Sequence, residues 1–190
     1  MDDDFKKAAE FHGHVCPGLA MGYRVAMYVR QHYPRSEDEE LVCIAENRSC
    51  SVDAVQSLLG CTAGKGNLIV VDNGKQAFTF YSRDQKRALR IYFKGDVFGP
   101  MDALRMKAAA GQLSPGPDME MLRSQAIDAI LSGRDEDLLS VKQVDIPVPE
   151  KAKVYPSIKC QQCGERFMEI MGRMAEGKVL CKECFKKIVC

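Results

Sequence analysis

Two cysteine pairs near the end of the chain, Cys160-Gln-Gln-Cys163 and Cys181-Lys-Glu-Cys184, are separated by 17 residues. That spacing suits the two halves of a tetrahedral zinc site, because each pair can present two thiolates from one tight knuckle. Gly164 permits the first knuckle, and Leu180-Cys181 leads into a short helix over Phe185 to Val189, the order of a treble-clef finger. About 33 residues cannot bury enough apolar surface to order themselves, so the ion supplies much of the folding free energy. From Ile158 to Cys190 there are seven Lys or Arg against four Glu, and four thiolates on one zinc ion reduce that excess further. So small a charge does not imply many phosphate contacts. Protein docking or structural capping is therefore expected of the finger rather than nucleic-acid binding.

The remaining chain is long enough for one ordinary domain. Of 190 residues 46% are hydrophobic, and 27 Lys and Arg nearly cancel 26 Asp and Glu, leaving no global field toward nucleic acid or anionic lipid. No run approaches the roughly 18 apolar residues of a membrane span, and Met1 to Lys7 lacks the pattern of a signal peptide. A cytoplasmic location is expected, where nine cysteines serve as metal ligands, reactive thiols or packing residues rather than disulfides. Helices are expected after Cys16-Pro17 through Tyr33, over Val52 to Leu59 up to Gly60, over Pro100 to Ala110 and over Asp118 to Leu131. Leu41 to Ala45, Asn67 to Val71, Gln76 to Tyr81, Arg87 to Phe93 and Val141 to Ile146 read as strands. Asp72-Asn73-Gly74 suits a tight hairpin between the second and third of these. The irregular mixture predicts an α+β fold, a mixed or antiparallel β-sheet flanked by helices. Three prolines in Pro147 to Pro156 mark a linker, so the expected organisation is a core over 1–146, a linker over 147–157 and the finger over 158–190.

Phe11 to Gly18 reads FHGHVCPG and packs two of the three histidines and a cysteine into five positions. In an extended segment His12, His14 and Cys16 line one face at about 6.5 Å intervals. Pro17 begins a helix, which puts Cys16 at a helix amino terminus, where the dipole favours thiolate. The bland alternative is capping or core histidines with a buried cysteine as filler. Read as a metal site, His14 and Cys16 are ligands and His12 a proton carrier. A further donor comes from Cys50 or Cys61, which bracket a helix and stand about 16 Å apart, too far to share one ion. Cys61 is preferred because Gly60 to Asn67 reads as a flexible loop. Cys50 then becomes a neighbouring thiol and Asp53 a base or an orienter of a histidine. Lys65 could present a cation to an anionic substrate or cofactor, although the loop fails a Walker pattern at Leu59 and Gly66. No metal role is expected for Cys43 or Cys190.

FHGHVCPG with Gly22 and Arg24, SCSVDAVQ (Ser49 to Gln56), GCTAGKGNL (Gly60 to Leu68) and DNGKQAFTFY (Asp72 to Tyr81) together resemble the family of the formylmethanofuran dehydrogenase E-subunit. The finger matches the tail found in some members. The resemblance implies an α+β core, a metal-capable site built from these motifs, and an association with one-carbon metabolism in anaerobes, including methanogenesis. In that enzyme the E-subunit is an accessory component, the pterin-bound metal and iron–sulfur clusters being carried by other chains.

Two functions are therefore open. One is a metal-binding accessory protein that docks through its finger on redox-complex subunits. The other is a small zinc- or thiol-dependent enzyme with water at an open metal position. A structural zinc ion in the finger and a second divalent metal, zinc first, in the core are expected, together with a homodimer formed by finger exchange. Complete chelation of the purified chain should unfold the tail, and a tail whose amide spectrum stays dispersed after metal removal would exclude structural zinc there.

Overall fold

The computed structural model describes residues 2–95, 99–111 and 116–189. The chain divides into two compact units, Met1–Lys151 and Ala152–Cys190. In the first, helix α1 (Asp3–His12) and helix α2 (Pro17–Arg30) precede strand β1 (Leu41–Ala45) and helix α3 (Ser51–Leu59). Strands β2 (Leu68–Val70), β3 (Ala77–Ser82) and β4 (Arg87–Phe93) follow. Then come helices α4 (Gly99–Ala109), α5 (Pro117–Ser132) and α6 (Asp135–Leu138), and strand β5 (Leu139–Val144). The five strands form one mixed sheet in the order β2-β1-β3-β4-β5. Phe5, Leu19, Val25 and Val29 from the helices and Phe78, Phe80 and Ile91 from the strands share one buried core. No helix among the described residues is long and apolar enough to cross a membrane.

The expected hairpin between β2 and β3 does not form. β1 lies between them, parallel to β2 and antiparallel to β3. LVCIA is apolar throughout and must be paired on both sides and covered on both faces, which a central position achieves. Asp72-Asn73-Gly74 is still a turn, with Gly74 at φ +68°. It crosses the end of β1 instead, where Asn73 and Lys75 amides both donate to the Glu46 carbonyl at 3.1 Å. The antiparallel β3–β4–β5 meander agrees with the expectation.

Gly22 and Arg24 have structural work in α2. A Cβ built on Gly22 would stand 2.2 Å from the Ser51 carbonyl oxygen, so the bare glycine lets α2 and the start of α3 cross in near-backbone contact. Arg24 reaches the end of α5, donating through Nη1 to the carbonyls of Ile130 (2.7 Å) and Leu131 (3.0 Å). Its Nη2 meets Asp135 Oδ1 at 2.6 Å. A cation on the last carbonyls of a helix satisfies orphaned acceptors and complements the dipole. Pro149 and Glu150, expected to be linker, are held to this unit by Arg83, which donates to their carbonyls at 2.8 and 3.2 Å.

In the second unit, strands β6 (Ser157–Lys159) and β7 (Arg166–Met168) pair antiparallel, as do β8 (Arg173–Ala175) and β9 (Lys178–Leu180), and helix α7 (Lys182–Val189) closes it. Its buried cluster consists of Cys160, Leu180 and Cys184. So small a core does not hold a unit of this size without a crosslink.

A Gly22→Ala change tests the helix crossing. Alanine gains about 1 kcal/mol of helix propensity over glycine, but its methyl meets backbone that no rotamer change can move. A net loss of about 2 kcal/mol is expected, read as a lower urea midpoint, whereas an unchanged or higher midpoint would contradict the close contact.

Candidate metal centres

In the tail, one Sγ from each of Cys160, Cys163, Cys181 and Cys184 lies within 4.8 Å of the others. Cys163 and Cys181 sulfurs are 4.0 Å apart, near the edge of about 3.8 Å that four sulfurs at about 2.3 Å from one ion would set. Gly164 has φ +78°, and its amide closes the first knuckle on the Cys160 carbonyl at 3.0 Å. The Cys181 amide donates to Cys160 Sγ at 3.3 Å. Burial opposes ionisation of Cys160, but the amides of Cys163, Cys181 and Gln162 outweigh it and bring its pKa down to about 6. Burial and the neighbouring sulfurs push Cys184 up to about 12. Four crowded thiols cannot all ionise without a cation among them, so the donor chemistry fits zinc. The cluster of four cysteines fits a small zinc finger. Cys190 lies outside the described residues.

A second cluster sits where α1, α2 and α3 meet, formed by His12, Cys16 and Cys50 with donor atoms within 4.8 Å. FHGHVCPG is not one extended segment. His12 ends α1, Gly13 caps it in the left-handed conformation, and Cys16 is the amino-terminal cap of α2, its Sγ accepting from the Leu19 amide at 3.4 Å. Turning the chain between two helices brings residues four apart together, so His12 Nε2 lies 3.8 Å from Cys16 Sγ. An imidazole nitrogen at about 2.0 Å and a thiolate at about 2.3 Å from one ion would be about 3.6 Å apart. Cys50 enters from the start of α3 beside Gly18, whose missing Cβ would stand 3.1 Å from Cys50 Cβ and 3.8 Å from Cys16 Sγ. The bare glycine leaves room for both sulfurs.

His12 is oriented from the other side. Its Nδ1 lies 2.7 Å from Asp53 Oδ2, and Gln56 Nε2 donates to Asp53 Oδ1 at 3.1 Å. With Nδ1–H donating to the carboxylate, Nε2 keeps its lone pair toward Cys16, the arrangement that fixes a metal-ligating histidine. A cleft of about 410 Å³ opens beside the cluster, lined by His12, Cys50, Asp53 and Gln56 and by the apolar Leu68 and Val70.

Three expected roles are corrected by this geometry. His14 does not join the donors; it is exposed and its ring packs on that of His12 at 4.4 Å between centroids. Cys61 is not in the cluster either. It is fully buried and its thiol donates to the Leu41 carbonyl at 3.5 Å. The loop expected to carry it is clamped by buried Asn67, whose Nδ2 donates to the carbonyls of Leu41 (3.0 Å) and Asp38 (3.1 Å) while Oδ1 accepts from the Thr62 amide. Lys65 turns away, its Nζ donating to the carbonyls of Ser36 and Glu37 at 3.3 and 3.1 Å. Cys50 takes the place expected of Cys61, because it starts the helix that crosses α2 at the glycines. Gln56 was missed, though its position three residues after Asp53 puts both on one helix face.

A mixed sheet under helices, with soft donors gathered at a helix cap and a four-cysteine finger following, defines the class: a small α+β protein with two candidate metal centres. The chain belongs to the FmdE family, described as FmdE, molybdenum formylmethanofuran dehydrogenase operon, which it matches over residues 11–140. Among solved structures it is similar to an FmdE-like protein of the tungsten formylmethanofuran dehydrogenase type from Syntrophus aciditrophicus. The TM-score is 0.63 and the identity 26%, over 96% of this chain and 90% of that one. It is also 28% identical to a probable S-adenosyl-L-methionine-binding protein of Archaeoglobus fulgidus, over 94% of this chain. That alignment covers 51% of the relative, so the chain spans about half of its length.

The two buried thiols outside the clusters give a direct test. Burial pushes Cys61 up to about 12 and holds Cys43 well above the usual thiol range, with Cys61 adding to the effect. Raised values leave almost no thiolate at pH 8. Iodoacetamide should therefore leave Cys43 and Cys61 unlabelled in the folded chain and label both in urea, read by peptide mass; labelling of either before unfolding would contradict its placement.

Proposed function

We propose that this chain is a metal-binding accessory protein of one-carbon redox metabolism, with a structural zinc ion in the finger and a second divalent ion, zinc first, held by His12, Cys16 and Cys50. The observation that carries the reading is the three-donor cluster facing a cleft. Three protein ligands leave a tetrahedral ion one position for an outside ligand, the mark of a working site rather than a sealed one. When bound, the ion supplies Lewis acidity at that position. The protein's own part is to hold Nε2 of His12 in line through Asp53, to present Cys16 as thiolate at a helix cap, and to line the cleft with Leu68 and Val70. The family, and the naming of the Syntrophus relative after a tungsten formylmethanofuran dehydrogenase, support docking on a redox complex. A pair of chains exchanging fingers across the linker belongs to the same proposal, and light scattering at micromolar concentration tests it through the mass.

The cleft and the Asp53–His12–Cys16 line also support a second reading, a small zinc- or thiol-dependent enzyme. Without metal the same atoms would make His12 a base for Cys16, oriented by Asp53. Metal content separates the two chemistries. Anaerobically purified protein should carry two equivalents per chain. Cys16→Ala or Cys50→Ala should release one and Cys163→Ala the other, while Cys61→Ser releases neither. Asp53→Asn should weaken the core ion by about ten- to a hundredfold and leave finger metal unchanged. One equivalent in the wild type, retained in Cys50→Ala, would overturn the core site; loss of metal from Cys61→Ser would return the ligand role to that residue.

A further inference from the structure

The cleft beside His12 and Cys50 has one permanently charged cation among its described lining residues, Arg48. Its backbone is fixed. Asn47 Oδ1 accepts from the Ser49 amide at 3.1 Å and from the hydroxyls of Ser49 (2.8 Å) and Ser51 (3.2 Å), and Asn47 Nδ2 donates to the Lys75 carbonyl at 3.0 Å. Gln76 completes this network through its contacts with both serines. The Arg48 side chain, by contrast, is 72% exposed, and its bond is an ion pair with Asp72, itself 51% exposed, at 3.2 Å. Exposed pairs of this kind are weak and readily exchanged. The cleft's carboxylate, Asp53, is engaged by His12 and Gln56 and does not neutralise Arg48. Lys65 is committed to backbone carbonyls outside the cleft. The cleft thus runs from a soft-donor cluster, past apolar Leu68 and Val70, to a guanidinium on an ordered turn whose present partner is replaceable.

We infer that the cleft binds a small organic monoanion, its carboxylate on Arg48, its apolar stem against Leu68 and Val70, and a soft donor atom toward the His12–Cys16–Cys50 cluster. Arg48 is the residue that selects for charge, since a guanidinium fork matches a carboxylate and forms charge-assisted hydrogen bonds. Asp72 is the internal competitor that the ligand displaces. This inference rests on the open metal position proposed above and adds the class of ligand that fills it.

The test uses full-length protein loaded with cobalt(II), whose visible absorption reports on ligands at the core centre, the finger's four-sulfur spectrum serving as constant background. Titration with 3-mercaptopropionate, 2-mercaptoethanol and cysteamine compares an anionic, a neutral and a cationic thiol of similar size. The ratio of their affinities is compared between proteins, so intrinsic differences among the thiols cancel. In the wild type the anionic thiol should be preferred over the neutral one by about fivefold or more relative to Arg48→Gln, with cysteamine weakest. Asp72→Asn should widen the preference by removing the competitor. If the thiols bind and the ratio is the same in Arg48→Gln as in the wild type, the inference is overturned and the open site stands. If none of the three alters the core spectrum, the open position itself is lost, and the inference with it.

Discussion

The near-contact of α2 with the start of α3 governs the rest of the first unit. Two glycines one helical turn apart, Gly18 and Gly22, remove the side chains that would hold the helices at ordinary distance. Helices usually pack with axes 8–10 Å apart because side chains fill the space between them. Here Gly22 meets backbone and Gly18 meets Cys50. Cys16 at the cap of α2 and Cys50 at the front of α3 consequently face one another, and His12 swings in because the turn at Gly13 ends α1 over the same spot. Asp53 and Gln56 then follow from the helical repeat of α3, which places them on the side that receives His12.

The two centres differ in what holds them. The finger's donors are local in sequence, on two knuckles of a unit with almost no core, so ion and fold are one event. The other cluster is assembled by a domain with its own hydrophobic core, and its geometry exists because the helices are already packed. An ion there is a guest of a finished scaffold, which is the condition under which a coordination position can be left open toward a cleft.

Much of this was legible in the sequence. The finger's ligands follow from spacing alone, and the helix after Cys16-Pro17, the helix up to Gly60 and every core strand stand close to where periodicity put them. Two things were not legible. Pairing of β2 with β1 instead of β3 depends on what an apolar strand needs on each side, and turn residues such as Asp72-Asn73-Gly74 serve a crossover as well as a hairpin. The donor set depends on which helix ends meet. Cys50 and Cys61 are equivalent by distance along the chain, and His14 differs from His12 only by the turn at Gly13. The Gly-x-x-x-Gly spacing from Gly18 to Gly22 was the unused clue, since it marks where a second helix can approach closely enough to bring Cys50 in.

Gly22 also bears on how relatives of this chain should be recognised. It donates nothing to a ligand and would be passed over in any inventory of histidines and cysteines. Yet a homologue that retained all three donors and carried valine or leucine at this position would have its helices wedged apart and its would-be ligands stranded. Sorting family members into those able to assemble the centre and those that have lost it therefore calls for inspecting the spacer as well as the donors.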